Sequence, residues 1–124
     1  MFKLIKIEKS KKKDKKFDAT FFNKENNKQK IISFGSKGYR DYTLINNKNS
    51  EFYIPNKEQR EKVKDLYQKR HAKDLLTEAS KSGLSAGSLS YYVLWTGTTL
   101  NKGISNYRNK YNFPLQQPQL DDLW

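Results

Sequence analysis

Apolar and polar residues alternate in three short segments of the amino-terminal half. Their apolar positions are, in order, Phe2, Leu4, Ile5 and Ile7, then Phe17, Ala19, Phe21 and Phe22, and finally Ile31, Ile32 and Phe34. A period of two residues is typical of strands that bury one face. Two polar segments, SKKKDKK at 10–16 and NKENN at 23–27, separate the three runs. The pattern predicts two consecutive hairpins and therefore a three-stranded antiparallel meander.

The following half of the chain has apolar residues at helical spacing, interrupted by residues that cap helices. Asn56 followed three residues later by Gln59 is typical of a helix start. The apolar repeat then predicts one long helix, or two helices joined near His71. Ser85 begins a further apolar repeat, and Thr98 is predicted to cap a last helix. We predict an α+β fold in which the amino-terminal meander is followed by three or four helices packed on one face.

Length and composition predict one domain over residues 1–113, followed by an acidic and apolar tail at 114–124. The tail, PLQQPQLDDLW, offers three apolar candidates for partner binding, Leu120, Leu123 and Trp124. Its spacing weakly resembles peptides that dock into DNA sliding clamps. The alternative is a tail that folds back on its own domain or frays, because short terminal motifs often match by chance.

The charge of the chain is strongly positive, with 25 lysines and arginines against 13 acidic residues and a formal net charge of +12. This balance favours a polyanionic partner, such as nucleic acid or an acidic protein surface. The excess is concentrated in residues 1–30, which hold 11 lysines and four acidic residues. A chain rich in lysine and asparagine also follows from an AT-rich genome, so charge alone does not decide the partner.

The segment FGSKGYRDYT at 34–43 combines two glycines with rings, cations and a carboxylate. Gly35 and Gly38 permit left-handed backbone angles that turn N–H groups outward beside Lys37, an arrangement that suits a phosphate. The alternative is a tight strand-to-strand turn whose rings merely pack. The segment also lacks the spacing of a nucleotide-hydrolysing P-loop, G-x-x-x-x-G-K-[ST].

The candidate nucleic-acid contacts are the cations of this turn, of the first hairpin tip and of a helix end: Lys11, Lys12, Lys13, Lys15, Lys16, Lys37, Arg40, Arg70 and His71. The tip lysines are expected to project together from one end of the sheet. The last four residues of the set form a cationic pocket beside Tyr39 and Tyr42 if the turn folds over the helix end. A role of Arg70 and His71 as favourable charges at a helix carboxy terminus is the alternative.

The inventory of reactive side chains argues against catalysis. The chain has no cysteine and one histidine, so zinc sites and nucleophile–histidine machinery lack their residues. We predict a protein that is not an enzyme and has no cofactor and no metal. A nuclease built from Asp41 and Glu61 near Lys62 is the alternative.

The aromatic cluster of Tyr91, Tyr92, Trp95 and Tyr107 could stack bases, but its helical spacing favours the core. No apolar run has the length of a signal peptide or of a membrane span, which takes about 20 residues. We therefore expect a protein that is not secreted and does not associate with a membrane.

Three motifs in order resemble a family of short, basic, uncharacterised proteins of nucleocytoplasmic large DNA viruses. They are FGSKGYRDYT at 34–43, the pair Arg70-His71, and GSLSYYVLW with TLNKGISNYRNKYN at 87–112. The chain departs from that pattern in a longer loop between Thr43 and Asn56 and in TGTT before the last helix. The resemblance implies a virion or a viral factory in the host cytoplasm as the location, and it implies no activity.

These observations lead to two hypotheses of function. The first is a non-catalytic, virion-associated protein that binds nucleic acid, DNA in particular, without sequence specificity through the lysine-rich hairpin and the GSKGYR turn. The alternative is a minor structural protein of the capsid or core whose basic arm and acidic tail bind other protein subunits. Salt dependence separates them, because phosphate contacts weaken steeply with salt and a packed protein interface does not.

Overall fold

The computed structural model describes residues 2–113 of the 124-residue chain. The candidate partner-binding residues Leu120, Leu123 and Trp124 lie outside the described residues. The domain boundary at residue 113 therefore stays a prediction.

The described residues form one antiparallel sheet of three strands in the order β1-β2-β3. The strands are β1 Phe2–Lys9, β2 Lys15–Asn23 and β3 Lys28–Ser36. The pairing of β1 with β2 shifts between Leu4 and Lys6, where a bulge adds one residue to β1. Because of the bulge, Leu4 and Ile7 are both buried although strict alternation would place them on opposite faces. The predicted meander is confirmed.

The remaining described residues are mainly helical, with five α-helices where three or four were expected. The helices are α1 Tyr42–Ile45, α2 Lys57–His71, α3 Glu78–Lys81, α4 Ala86–Leu89 and α5 Leu100–Tyr111. A 3-10 turn, Ala72–Leu76, links α2 to α3, and a wider π turn, Ser90–Leu94, continues α4. The additional helices are single turns of four residues, which are too short for an apolar repeat to reveal. The predicted α+β class is confirmed.

The core lies between one face of the sheet and the helices. Phe17 and Phe34 face each other across β2 and β3 with ring centroids 5.8 Å apart. The other large buried apolar side chains include Leu4, Ile7, Phe21, Ile45, Leu89, Val93, Leu94, Leu100 and Tyr107. Aromatic and aliphatic side chains therefore share the core.

Helix α2 lies on the outside of this core. The Asn56 carboxamide oxygen accepts a hydrogen bond from the Gln59 backbone N–H at 3.0 Å, so the predicted cap is confirmed. Val63 and Tyr67 pack against the core, but Leu66 is 55% exposed. The apolar repeat of α2 is thus only partly buried.

Helix α5 approaches the π turn very closely. A Cβ atom added at Gly103 would lie 1.9 Å from the Val93 carbonyl oxygen, so a side chain cannot be accommodated without movement. The helix is capped by Thr99, whose hydroxyl accepts from the Lys102 N–H at 3.2 Å. The prediction that Thr98 caps it was wrong by one residue, a common error at helix ends.

None of the helices in residues 2–113 combines the length and apolarity that crossing a membrane requires.

Candidate nucleic-acid interface

The turn between β3 and α1, residues 35–40, adopts the left-handed conformations that its glycines predicted. The φ angles are +78° at Gly35 and +89° at Gly38. At Gly35 space is also limiting, because an added Cβ would lie 2.9 Å from Leu94 Cδ1 and 3.2 Å from the Lys16 side chain. A glycine here lets the end of β3 pass against the π turn and β2.

One backbone hydrogen bond attaches this turn to the first hairpin tip, and a second closes the turn itself. The Lys37 N–H donates to the Asp14 carbonyl oxygen at 3.0 Å, and the Tyr39 N–H donates to the Ser36 carbonyl oxygen at 3.3 Å. Two N–H groups that a backbone phosphate site would use are therefore engaged within the protein. The backbone is that of a tight turn, and its cationic groups are the side chains of Lys37 and Arg40.

The lysine tip, residues 9–16, is held at its base by Asp18. This carboxylate accepts from the Ser10 and Ser33 hydroxyls, both at 2.6 Å, and from the Lys11 N–H at 3.3 Å. Burial raises the pKa of Asp18, but the three donors outweigh it and the pKa lies below its usual value. The fixed base leaves residues 11–14 exposed to solvent.

Lys16 is an exception among the predicted contacts. Its ammonium lies 2.6 Å from Asp41 Oδ2, and the side chains of the two residues are only 10% and 1% exposed. Asp41 in turn caps α1 by accepting from the Leu44 N–H at 3.0 Å and from the Thr43 hydroxyl. The Lys16 side chain thus points inward to a buried partner and does not project with the tip.

Tyr42 and Glu61 also have internal partners. The Tyr42 phenol donates to Glu61, whose other oxygen accepts from Lys64 at 3.3 Å. Burial, with this bond, raises the pKa of Tyr42 to about 12, and the same bond lowers the pKa of Glu61. Tyr42 therefore does not border the cationic pocket, contrary to expectation. The proposed nuclease pair of Asp41 and Glu61 is engaged in separate structural contacts.

One cleft, the Trp95 cleft, opens between the turn and the helices and has a volume of about 520 Å³. Its lining includes Lys15, Tyr39, Arg40, His71 and Trp95. Arg40 from the turn and His71 from the end of α2 line the same cleft, so these two predicted contacts lie close together. Among the residues lining this cleft, neither Lys37 nor Arg70 occurs.

A stack of three rings forms one wall of the Trp95 cleft. Tyr67 lies between Trp95 and His71, with centroid distances of 4.1 Å to each and interplanar angles of 6° and 25°. The stack is held at both ends: Gln68 Nε2 donates to the Trp95 carbonyl oxygen at 3.0 Å, and His71 Nδ1 lies 2.8 Å from Asp74 Oδ2. The wall is therefore a fixed aromatic surface.

A second cleft, the Phe52 cleft, lies on the other side of Lys15 and has a volume of about 550 Å³. Lys9, Lys37 and Glu51 contribute to its lining. Lys15, Lys16 and Tyr39 line both clefts, and Tyr39 is 70% exposed. The lysine tip, which begins at Lys9, and the ring of Tyr39 belong to one basic face.

The predicted contacts differ in their exposure to solvent. Lys11, Lys12 and Lys13 are exposed at the tip, and Lys15 is half-buried between the clefts. Arg70 is exposed on the last turn of α2, where its charge suits the helix dipole. Sequence reasoning missed Lys9, although its place at the end of a strand beside the tip was a usable signal. It also missed the stack of Tyr67 on Trp95, for which no local pattern exists.

Within residues 2–113, no three histidine, aspartate or glutamate side chains cluster in a way that would hold a metal ion.

Residues 5–51 match a family described only as a family of unknown function (DUF5754). No curated protein and no solved structure matches the chain. The matched segment covers less than half of the 124 residues, and it includes β2, β3, the second half of β1, the lysine tip, Tyr39 and Arg40. Tyr67, His71 and Trp95 lie outside it. The similarity therefore concerns the basic half of the candidate interface and carries no activity with it.

Proposed function

We propose that the protein binds DNA without sequence specificity through a basic face made of the lysine tip and residues 35–40. The observation that carries this proposal is the hydrogen bond from the Lys37 N–H to the Asp14 carbonyl oxygen at 3.0 Å. It holds two lysine-bearing turns side by side at one end of the sheet. Neither turn alone provides such a concentration of positive charge.

The chemistry of this face suits phosphates more than bases. Its cations are Lys9, Lys11, Lys12, Lys13, Lys15, Lys37 and Arg40, of which all but Lys15 are exposed. Lysine ammonium groups on flexible stems neutralise phosphates and carry little sequence information. The net charge of +12 adds long-range attraction for a polyanion. Lys16 is left out of the proposed contacts because Asp41 holds it.

We propose a virion or viral factory as the location, and the support for it is the resemblance of the three motifs to proteins of large DNA viruses. The alternative function is that of a minor structural protein whose basic arm and acidic tail bind other subunits. The salt dependence of DNA binding tests this alternative as well.

The test is a titration of duplex DNA at about 50 and 200 mM salt, with two duplexes of unrelated sequence. If six or more phosphates are contacted, affinity should fall at least about a thousandfold between these conditions, equally for both duplexes. Absence of binding at the lower salt concentration would refute the proposal. Binding that ignores salt would favour the protein-interface alternative.

A matched pair of variants locates the interface. The first replaces Lys11, Lys12 and Lys13 by glutamine, and the second replaces Lys24, Lys28 and Lys30, which are exposed at the opposite end of the sheet. Both variants have the same net charge. The tip variant should reduce the slope of log affinity against log salt by about 2 to 3. Equal effects of the two variants would show that the basic face is not the binding surface.

A further inference from the structure

We infer that the Trp95 cleft binds one unpaired nucleotide, so that the protein holds single-stranded nucleic acid more tightly than duplex. This inference rests on the proposed function, because it assigns a more specific ligand to part of the same basic face. The shared chemistry is a phosphorylated nucleoside, supplied either by a free nucleotide or by a strand.

The size of the cleft fits such a ligand. Its volume of about 520 Å³ falls in the range of about 300–1,000 Å³ that small-ligand sites occupy. A paired duplex keeps its bases stacked inside and cannot place one in a cleft without flipping it out. The duplex can still lie across the convex lysine tip.

The charges around the cleft favour a phosphate at its mouth. Lys15 and Arg40 line it, and within residues 2–113 neither forms an ion pair. The carboxylates of the lining are both engaged, Asp41 with Lys16 and Asp74 with His71. A phosphate oxygen thus meets two available cations beside carboxylates that already have partners.

The rings around the cleft favour a base. Tyr39 is 70% exposed at the edge that both clefts share, although an aromatic side chain of this size is usually better covered. The lining also includes the stack of Trp95, Tyr67 and His71, in which Trp95 is only 7% exposed and Tyr67 has a ring stacked on each face. This stack is a fixed support of the cleft, and the ring open to a base is that of Tyr39. Exposed rings beside cations are the usual means of holding single strands, because every base has a face on which a ring can stack.

The tryptophan in the cleft wall provides a direct readout. The sequence has two tryptophans, Trp95 and Trp124, so a Trp124→Phe protein reports on Trp95 alone. We would titrate this protein with thymidine 5′-monophosphate, an eight-residue oligothymidylate, inorganic phosphate and duplex DNA. The oligothymidylate should quench Trp95 and bind at least tenfold more tightly than the duplex at equal salt. Quenching by the monophosphate at similar affinity would identify a free nucleotide as the ligand, and much weaker binding would identify the strand.

Variants of Tyr39 separate stacking from charge. Tyr39→Ala should weaken oligothymidylate binding about tenfold, whereas Tyr39→Phe should retain the affinity. The side chain is largely exposed, so folding should be unaffected. If inorganic phosphate displaces the oligothymidylate as readily as the monophosphate does, or if Tyr39→Ala has no effect, the inference is overturned.

The failure of this inference is distinguishable from that of the proposed function. Duplex binding that depends on salt, without any change in Trp95 fluorescence, would refute the cleft and leave the basic face. Quenching by nucleotides without duplex binding at 50 mM salt would refute the duplex-binding function and support the cleft.

Discussion

The Lys16 ammonium lies 2.6 Å from the Asp41 carboxylate, and this buried ion pair joins strand β2 to the cap of α1. It crosses the boundary between the sheet and the helical half at the point where the chain turns from one to the other. The same pair removes Lys16 from the exposed cations and positions its neighbour Lys15 between the two clefts. Structural and binding roles thus fall to adjacent lysines.

Breaking this pair should destabilise the protein strongly. Lys16→Met and Asp41→Asn each leave a buried charge without its partner, and each should lower the free energy of unfolding by about 3 kcal/mol. Equilibrium urea unfolding measures the change. Lys12→Met, at an exposed tip position, is the matched control and should stay within about 0.5 kcal/mol. A double variant, Lys16→Met with Asp41→Asn, tests whether the two residues interact directly. A loss of unfolding free energy equal to the sum of the two single losses would contradict a direct interaction.

Removing one hydrogen-bond donor to the Asp18 carboxylate should make the free energy of unfolding depend less on pH in the acid range. Because the folded pKa of Asp18 is lowered, its stabilisation is present above the ordinary aspartate pKa of about 4 and is lost as the pH falls through the folded pKa. Ser33→Ala should raise this pKa and cost about 1–2 kcal/mol at pH 7. A carboxyl NMR titration of Asp18 measures the pKa. Ser105→Ala, exposed on α5, should leave it unchanged.

Tyr67 should make the protein sensitive to alkali. Burial, followed by the charges of Asp74 and Asp41, raises its pKa from 10.0 to about 12. The folded state keeps the phenol protonated when the unfolded state has lost the proton, so stability should fall as the pH rises from 10 to 12. Tyr67→Phe keeps the ring in its stack and should reduce this fall, as measured by urea unfolding across that range. An unchanged pH profile would show that Tyr67 does not titrate in this way.

Gly103→Ala should be among the most destabilising substitutions of the helical half. The added methyl group meets the Val93 carbonyl oxygen at 1.9 Å, so α5 and the π turn must separate, at a cost of about 3 kcal/mol or more. Gly38→Ala is the comparison: nothing lies within 4 Å of an added Cβ there, and only its φ of +89° opposes the change, at about 1 kcal/mol. Thermal unfolding of the two variants measures the difference. Equal losses of stability in the two variants would show that α5 and the π turn are not closely packed at Gly103 in solution.

Local patterns were sufficient for much of this fold. Alternation located the three strands, and Asn56 marked the start of α2, because strand faces and helix caps depend on residues only a few positions apart. Single-turn helices were missed for the same reason, since four residues carry no repeat. The two glycines correctly predicted left-handed angles, but the sequence left open whether the resulting N–H groups were available.

By itself, the sequence determined the α+β class, the strand positions, the start of α2 and the excess of positive charge. The tertiary structure alone decided which charges are available: Lys16 is paired with Asp41, 25 positions away, whereas Lys15, which lines the same two clefts, forms no ion pair within residues 2–113. It also placed Tyr67 between His71 and Trp95 and left Tyr39 exposed. The physical reason is that ion pairs and ring stacks join elements distant in the chain, so their partners are set by how the sheet and helices pack rather than by neighbouring residues.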